Sequence, residues 1–331
     1  MRLALLTSVT LLFSLATLAA EVDQFTKRHQ PLEDISSQLN DQASLYLTQA
    51  LEELNQKGEC SLDIKSEKKL YNKLEHIFSN HIKGQLVKDL LYTDIYPKNV
   101  IPVEESIYKY WTKKNGFLLA TRIGKMNRYA IYPEVRIGEV RIGVDKFEHF
   151  FAMGVRHFRE YYFHNYSLKF ILNFDYYVEK NGLGGNSWAT GVMSYGDMAA
   201  NINGIRFWNN ILQKHDDILG KQYNFGPYVL CQEGKWIANP QKKIDLRDYI
   251  DDSMDEAINC SAFANKKGVQ VFKRSLKELG FINDEQRDNP CPLEPEKFQA
   301  LKEKYNLKID SKESKTMGDW ILNDRGIRVR D

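Results

Sequence analysis

Apolar residues recur at helical spacing in several separated stretches of the chain, with polar residues between them. This pattern predicts a helix over residues 33–56, which Asp34 is able to cap, and a second helix over residues 66–83. Shorter or weaker helical patterns cover residues 104–113, 168–180, 269–279 and 295–305. The fold predicted from these patterns is mainly α.

A different pattern, with apolar and polar residues in alternation, precedes the centre of the chain. Val135, Ile137, Val140 and Ile142 alternate with polar residues, which predicts two short strands that turn at Gly138-Glu139. Residues 228–231 are also predicted to be extended. We therefore expect a mainly α globular protein with a small β-hairpin before its central helices.

Two predicted helices follow the hairpin. The first begins at Asp145, a good N-cap residue, and runs to about Phe163 with a broad aromatic face. The second is capped by Ser194 and runs over residues 195–212, where Gly204 would let a neighbouring helix approach closely.

Each central helix carries two polar residues one turn apart. They are Asp145 and His149 on the first helix, and Asp197 and Asn201 on the second, so each pair shares a helix face. Glu179, just before a glycine-rich segment, is a further candidate. If these residues meet, all five are candidate ligands of a divalent metal ion, and His149, Glu179 and Asp197 are the candidate catalytic residues.

The same residues also fit a structural role without metal binding or catalysis. A helix with one aromatic face usually exposes its polar face to water, which would leave Asp145 and His149 solvated. Asp197 and Asn201 lie among apolar neighbours, where a carboxylate needs a partner such as Lys146 or a cation. A hydrogen-bond network between helices is therefore the alternative to a metal or acid/base site.

The other titratable residues give weaker indications. His76 and His81 are predicted to lie at the surface, and His157 and His164 are predicted to be structural or exposed. Glu148 is a further acid/base candidate, with a surface carboxylate as the alternative. The acidic run over residues 248–256 lacks the spacing of a calcium loop and predicts a solvated helix start.

The first twenty residues have the composition of a secretory signal. An apolar run from Leu3 to Leu15 is followed by small residues that end at Ala20, where cleavage is expected. The run is short for a membrane span, and no later segment is apolar enough to cross a bilayer. We expect a secreted or periplasmic protein without a transmembrane span in its mature chain, with an uncleaved anchor as the alternative.

The charge and the cysteine content bear on the protein's partners and on its disulfides. The formal net charge of the 331 residues is +2, which gives no general attraction to nucleic acid. Four cysteines in an oxidising compartment suggest two disulfides, with free buried cysteines as the alternative. Because Cys231 and Cys260 flank a compact segment, we expect this pair, which leaves Cys60 with Cys291.

Changes in composition along the chain suggest four regions. They are the signal peptide, an N-terminal helical region, a central motif-bearing helical core, and a C-terminal region in which disulfides are expected. Their bounds are 1–20, 21–127, 128–220 and 221–331.

A motif set spans residues 143–208. Its members are Asp145-Lys146, His149-Phe150, Glu179, Ser194, Asp197, Ala200-Asn201 and Gly204. Their types and order resemble those of VanZ-like proteins and the related YfiM-like envelope proteins. The resemblance implies association with the cell envelope and a polar site between helices, but no particular reaction. VanZ-like proteins typically span the membrane several times, whereas residues 150–180 here are rich in charges.

Three hypotheses about function follow. The first is an exported, metal-assisted hydrolase or transferase that acts on an envelope component and uses a divalent ion. The second is a non-catalytic structural or interaction protein of the envelope, in which the same residues hold the helices together. The third is a glycan hydrolase with Glu148 and Glu179 as its carboxylate pair. The sequence leaves open the metal, the substrate, the oligomeric state and whether the protein is an enzyme.

Overall fold

The computed structural model describes residues 20–121, 131–182, 185–282, 290–310 and 314–331. The predicted signal segment, residues 1–20, lies outside these ranges except for its last residue, Ala20. Among the helices within these ranges, none combines the length and the apolarity that a membrane span requires.

Helices dominate the described part of the chain, and the prediction of a mainly α fold is confirmed. The helices are α1 (Ser36–Asn55), α2 (Ile64–Phe78), α3 (Gln85–Tyr92), α4 (Phe117–Thr121), α5 (residues 144–163), α6 (Leu168–Asn181), α7 (Tyr195–Leu212), α8 (Lys266–Glu278), α9 (Pro295–Lys304) and α10 (Gly318–Ile321). The strands are β1 (Glu21–Val22), β2 (Ile131–Tyr132), β3 (Glu134–Ile137), β4 (Val140–Gly143), β5 (Val192–Met193), β6 (Val229–Gln232), β7 (Lys235–Ala238), β8 (Ala262–Phe263) and β9 (Arg328–Val329).

The predicted hairpin is confirmed as the antiparallel pair β3–β4. Ile137 and Val140 are partners at its end, and Gly138 takes a φ of 60° that glycine adopts without strain. Strand β1 pairs in parallel with β2, with Glu21 opposite Ile131, and this pairing holds the start of the described chain beside the hairpin. A second hairpin, β6–β7, was not predicted as a pair.

The helix predicted over residues 104–113 is wrong, because this segment forms successive turns. Side-chain oxygens accept hydrogen bonds from backbone amides that would pair with carbonyl groups in a helix. The carboxylate of Asp23 accepts a hydrogen bond from the Ile107 amide at 2.8 Å, and Ser106 Oγ accepts one from the Tyr108 amide at 3.0 Å. Such bonds offer the backbone an alternative to helical pairing.

A close contact between helices α5 and α7 positions the site. A Cβ atom built on Gly154 would lie 2.6 Å from Gly204 Cα, and one built on Gly204 would overlap the carbonyl oxygen of Phe150. The predicted close approach at Gly204 is therefore confirmed. Every residue of α7 is buried, so this helix forms the centre of the hydrophobic core.

The predicted cysteine pairing is wrong. The disulfides join Cys60 to Cys231 and Cys260 to Cys291, with Cα–Cα distances of 5.9 and 6.1 Å. The β6–β7 hairpin folds back onto the N-terminal helices, where the Cys60 amide donates to the carbonyl of Gly234 at 2.7 Å. Spatial proximity across this hairpin, rather than closeness along the chain, determines the pairing.

Candidate metal centre between the central helices

Helix α5 begins two residues earlier in its capping than the sequence predicts. The N-cap is Gly143, so Asp145 lies within the first turn rather than at the cap. The helix then contains a π-helical turn over His149–Met153, and a second one over Arg159–Phe163. Single π-helical turns inside α-helices occur frequently at functional sites.

The first half of the polar face of α5 is buried, so the alternative in which Asp145 and His149 are solvated is wrong. Asp145 and His149 are 3% and 1% exposed. The aromatic residues Phe147, Phe150 and Phe151 are buried as well, because neighbouring elements cover the first half of α5 on all sides. A buried histidine and carboxylate need partners. Helices α6 and α7 supply those of His149, and Lys146 is the partner of Asp145.

Three of the predicted site residues converge. His149, Glu179 and Asp197 each offer one ligand atom, and these atoms lie within 4.8 Å of one another. They come from α5, the last turns of α6 and the first turn of α7. His149 Nε2 and Asp197 Oδ2 are 3.3 Å apart.

The N-cap of α7 fixes two of these residues. Ser194 Oγ accepts a hydrogen bond from the Asp197 amide at 3.1 Å, as predicted for a cap. The Ser194 amide donates to Glu179 Oε1, also at 3.1 Å. One serine therefore sets both carboxylates relative to the start of α7.

Asn201 determines which nitrogen of His149 faces the carboxylates. Its Nδ2 donates to Asp175 Oδ1 at 2.7 Å, so its Oδ1 faces His149 Nδ1 at 3.1 Å and accepts from it. The ring proton is thereby assigned to Nδ1, and Nε2 points toward Asp197 Oδ2. A nitrogen lone pair that faces a carboxylate oxygen needs a proton or a cation between them.

The polar chain continues from Asp175 toward the surface. His157, fully buried, lies between Asp175 Oδ1 at 3.2 Å and Glu160 Oε2 at 3.0 Å. Burial acts to lower the pKa of His157, but the hydrogen bonds to both carboxylates outweigh it and raise the pKa to about 9. Glu160 in turn accepts from Arg156, so the chain ends on a partly exposed ion pair.

A second group of carboxylates surrounds the ammonium group of Lys146. Its Nζ lies 2.6 Å from Asp145 and 2.7 Å from both Asp197 and Glu256. Burial acts to lower the pKa of Lys146, but the three carboxylates outweigh it and raise the pKa above its usual value. A cation of the protein's own already occupies the centre of this group.

Glu256 is the member of the site that sequence reasoning missed. It belongs to the acidic run predicted as a solvated helix start, yet it is only 3% exposed and accepts from Ser194 Oγ at 2.7 Å. The run forms a short 3₁₀ turn over Asp252–Met254 instead, and Glu256 follows it. No local spacing indicates that Glu256 meets Lys146, because 110 positions separate them.

Carboxyl groups outnumber the basic groups around the site. Burial, with the nearby charge of Asp197, raises the pKa of Glu179 well above its usual value. Burial also raises the pKa of Asp145 to about 7. For Asp197, burial is outweighed by His149 and Lys146, which lower its pKa. Asp197 is therefore the ionised member, and Glu179 is the one that a cation would deprotonate.

The five predicted ligands thus divide into distinct roles. His149, Glu179 and Asp197 face one another, whereas Asn201 holds the far side of the His149 ring. Asp145 is hydrogen-bonded to Lys146 and belongs to the second group, although its Oδ1 is buried without a hydrogen-bond partner.

Glu148 and His81 form a separate pair. Glu148 is 1% exposed, and its Oε1 accepts hydrogen bonds from the His81 amide at 2.8 Å and from the His81 ring. His81, predicted at the surface, is partly buried, and the alternative of a surface carboxylate at Glu148 is wrong. Tyr132 OH on β2 lies 3.3 Å from His81 Nδ1. Glu179 has a different partner, Ser194, so the two glutamates do not share hydrogen-bond partners.

Comparison of the chain with known protein families, with curated proteins and with solved structures gives no match. The resemblance to VanZ-like and YfiM-like proteins therefore stays a prediction that depends on the motif residues alone.

Proposed function

We propose that this chain is an exported protein of the cell envelope that binds a divalent metal ion through His149, Glu179 and Asp197. The proposed reaction class is metal-assisted hydrolysis or group transfer on an envelope component. The observation that carries the proposal is the approach of His149 Nε2 to Asp197 Oδ2 at 3.3 Å, with Nδ1 already bonded to Asn201.

The chemistry of the three side chains suits a divalent ion. One imidazole and two carboxylates are a ligand set of zinc and other first-row metals, and catalytic sites commonly use three protein ligands. The amide oxygen of Asn201 accepts from the far nitrogen of the His149 ring, the position at which metal-bound histidines have an orienting acceptor. When bound, such an ion supplies Lewis acidity or an activated water molecule.

The remaining residues hold the three ligands in position. Lys146 binds Asp197 Oδ1 at 2.7 Å and leaves Oδ2 toward His149. Ser194 holds Glu179 through its amide. Asp197 is 7% exposed, against 3% for Glu179 and 1% for His149, so the side nearest to solvent is that of Asp197.

Metal analysis of the purified mature protein tests the proposal. After incubation with Zn²⁺ or Mn²⁺ and dialysis, we expect about one ion per chain in the wild type and in His164→Ala, which removes an exposed histidine. His149→Ala and Asp197→Asn should lose the ion. A wild-type chain that retains no ion and gives a flat binding isotherm would contradict the proposal.

A non-catalytic envelope protein is the second candidate, and one observation favours it. Lys146 is completely buried among three carboxylates, an arrangement that joins α5, α7 and the segment after the 3₁₀ turn Asp252–Met254 without any added ion. This candidate predicts that His149→Ala lowers the free energy of unfolding while a chelator leaves the melting temperature of the wild type unchanged. The metal-binding candidate predicts that the chelator lowers it.

A further inference from the structure

An aromatic cleft lies apart from the candidate metal centre. It encloses about 350 Å³ between α2, the second π-helical turn of α5 and the loop that follows α7. This volume is within the range of small-molecule sites. Its lining residues include Tyr71, Phe158, Tyr162, Phe163 and His215.

The aromatic walls of the cleft are ordered by contacts among themselves. The rings of Tyr71 and Phe158 lie 4.7 Å apart and are buried at its base. Tyr162 and Phe163 are half-buried, and Tyr162 stacks on the exposed ring of His215 with 4.6 Å between centroids. The cleft therefore presents fixed apolar surface to a ligand.

The rim carries both hydrogen-bond donors and hydrogen-bond acceptors. Glu67 is 3% exposed and accepts a hydrogen bond from the ammonium group of Lys214. Asn165 and Lys68 are exposed at the opening, and Lys68 Nζ lies 5.9 Å from the ring centroid of Phe163. A lipid chain would make no use of these polar groups. A phosphate would meet the Glu67 carboxylate, which already neutralises Lys214.

The backbone around the cleft has unusual conformations. Its wall includes the π-helical turn Arg159–Phe163. Asn165, which lines it, has a φ of 56°, in the left-handed region that residues other than glycine rarely adopt. Both features cluster at ligand-binding sites more often than elsewhere.

We propose that this cleft binds a saccharide. The rings of Tyr162 and Phe163 contact the apolar face of the sugar, and the hydroxyl groups at its edge bind Glu67 and Asn165. A sugar ring combines one apolar face with several groups that both donate and accept, which matches the aromatic walls and the mixed rim. This site is independent of the proposed metal centre.

Saturation-transfer NMR and calorimetry with chitotriose and maltotriose as probes test the proposal on the purified mature protein. We expect transfer from the protein to sugar ring protons for at least one probe. Tyr162→Ala should weaken binding about tenfold or more, the effect of a lost aromatic contact. Tyr177→Ala, which removes a tyrosine that is exposed on α6, should bind like the wild type.

Asn165→Gly provides a variant that folds safely, because glycine accepts the left-handed backbone at this position. It should bind the probe more weakly than the wild type, and its metal content should be unchanged. No transfer to either probe at millimolar concentration would overturn the proposal, and so would wild-type affinity in both Tyr162→Ala and Asn165→Gly. Neither result would bear on the metal centre.

Discussion

Asn201 Oδ1 lies 3.1 Å from His149 Nδ1, on the side of the imidazole ring that faces away from Asp197. The two residues come from different helices, and the contact exists because Gly154 and Gly204 let those helices approach closely. The orientation of the ring is thus linked to the packing of α5 on α7. A change at Asn201 should alter metal binding without removing any of the three ligands.

Asn201→Ala should lower metal affinity about 10- to 100-fold, because the His149 ring loses the partner that fixes its tautomer and orientation. The variant also removes one of the hydrogen bonds to Asp175, whose other partner is His157. A metal titration followed by calorimetry measures the effect. Asn173→Ala, on the exposed face of α6, is the control and should leave the affinity unchanged. Equal affinity in Asn201→Ala would contradict the positioning role.

Lys146→Met should destabilise the protein by about 3–5 kcal/mol, because three buried carboxylates lose their cation. Asp145, Asp197 and Glu256 would then form a group without a positive charge, and a divalent ion should replace the ammonium group. We expect Mg²⁺ or Ca²⁺ to raise the melting temperature of Lys146→Met more than that of the wild type.

Thermal unfolding with and without the ion measures this rescue. Lys73→Met is the matched control, since Lys73 pairs with Glu53 on the surface and its loss should change stability little. An ion-independent melting temperature in Lys146→Met would show that the three carboxylates stay protonated or separate instead of binding a cation.

The stability of the fold should depend on alkaline pH through His157. Its pKa is raised from 6.5 to about 9 on folding, so the protonated ring stabilises the folded chain. This contribution is complete below pH 6.5 and is lost as the pH rises through 9; the shift corresponds to on the order of 3 kcal/mol. Urea unfolding at pH 7 and pH 10 measures the loss.

His157→Gln isolates this contribution, because glutamine is able to bond with Asp175 but does not titrate. The variant should be less stable than the wild type at pH 7, and its stability should fall less between pH 7 and pH 10. Parallel losses in the two proteins would mean that other groups carry the alkaline dependence.

Local signals predicted much of the helical framework. The cap at Ser194 and the apolar spacing after it gave α7 its bounds, because capping and periodicity are properties of a single segment. The same holds for the β3–β4 hairpin and its turn at Gly138. Interactions within about twenty residues therefore account for these elements, and the pairs at i and i+4 identified the candidate ligands on α5 and α7.

Long-range contacts account for what the sequence did not predict. The burial of His149 depends on neighbouring helices that cover the face opposite the aromatic residues, which no single-helix pattern reveals. Glu256 meets Lys146 only after the C-terminal segment folds back. The cysteine pairs follow the same principle, because the β6–β7 hairpin carries Cys231 to Cys60 and away from Cys260.

Gly204→Ala should disrupt both the core and the metal centre. A Cβ atom at this position would overlap Phe150 O and lie 2.8 Å from Gly154 Cα, so α5 and α7 would have to separate. We expect a loss of about 3 kcal/mol or more in the free energy of unfolding.

Gly268→Ala in α8 is the matched control: its Cβ would meet its nearest atoms at an ordinary 3.5 Å, and it should stabilise the helix by about 0.5–1 kcal/mol. Urea unfolding of the two variants, with a metal titration of any folded Gly204→Ala protein, tests the link between packing and binding. If Gly204→Ala is as stable as the wild type and binds the ion equally well, the close contact of the two helices does not position the ligands.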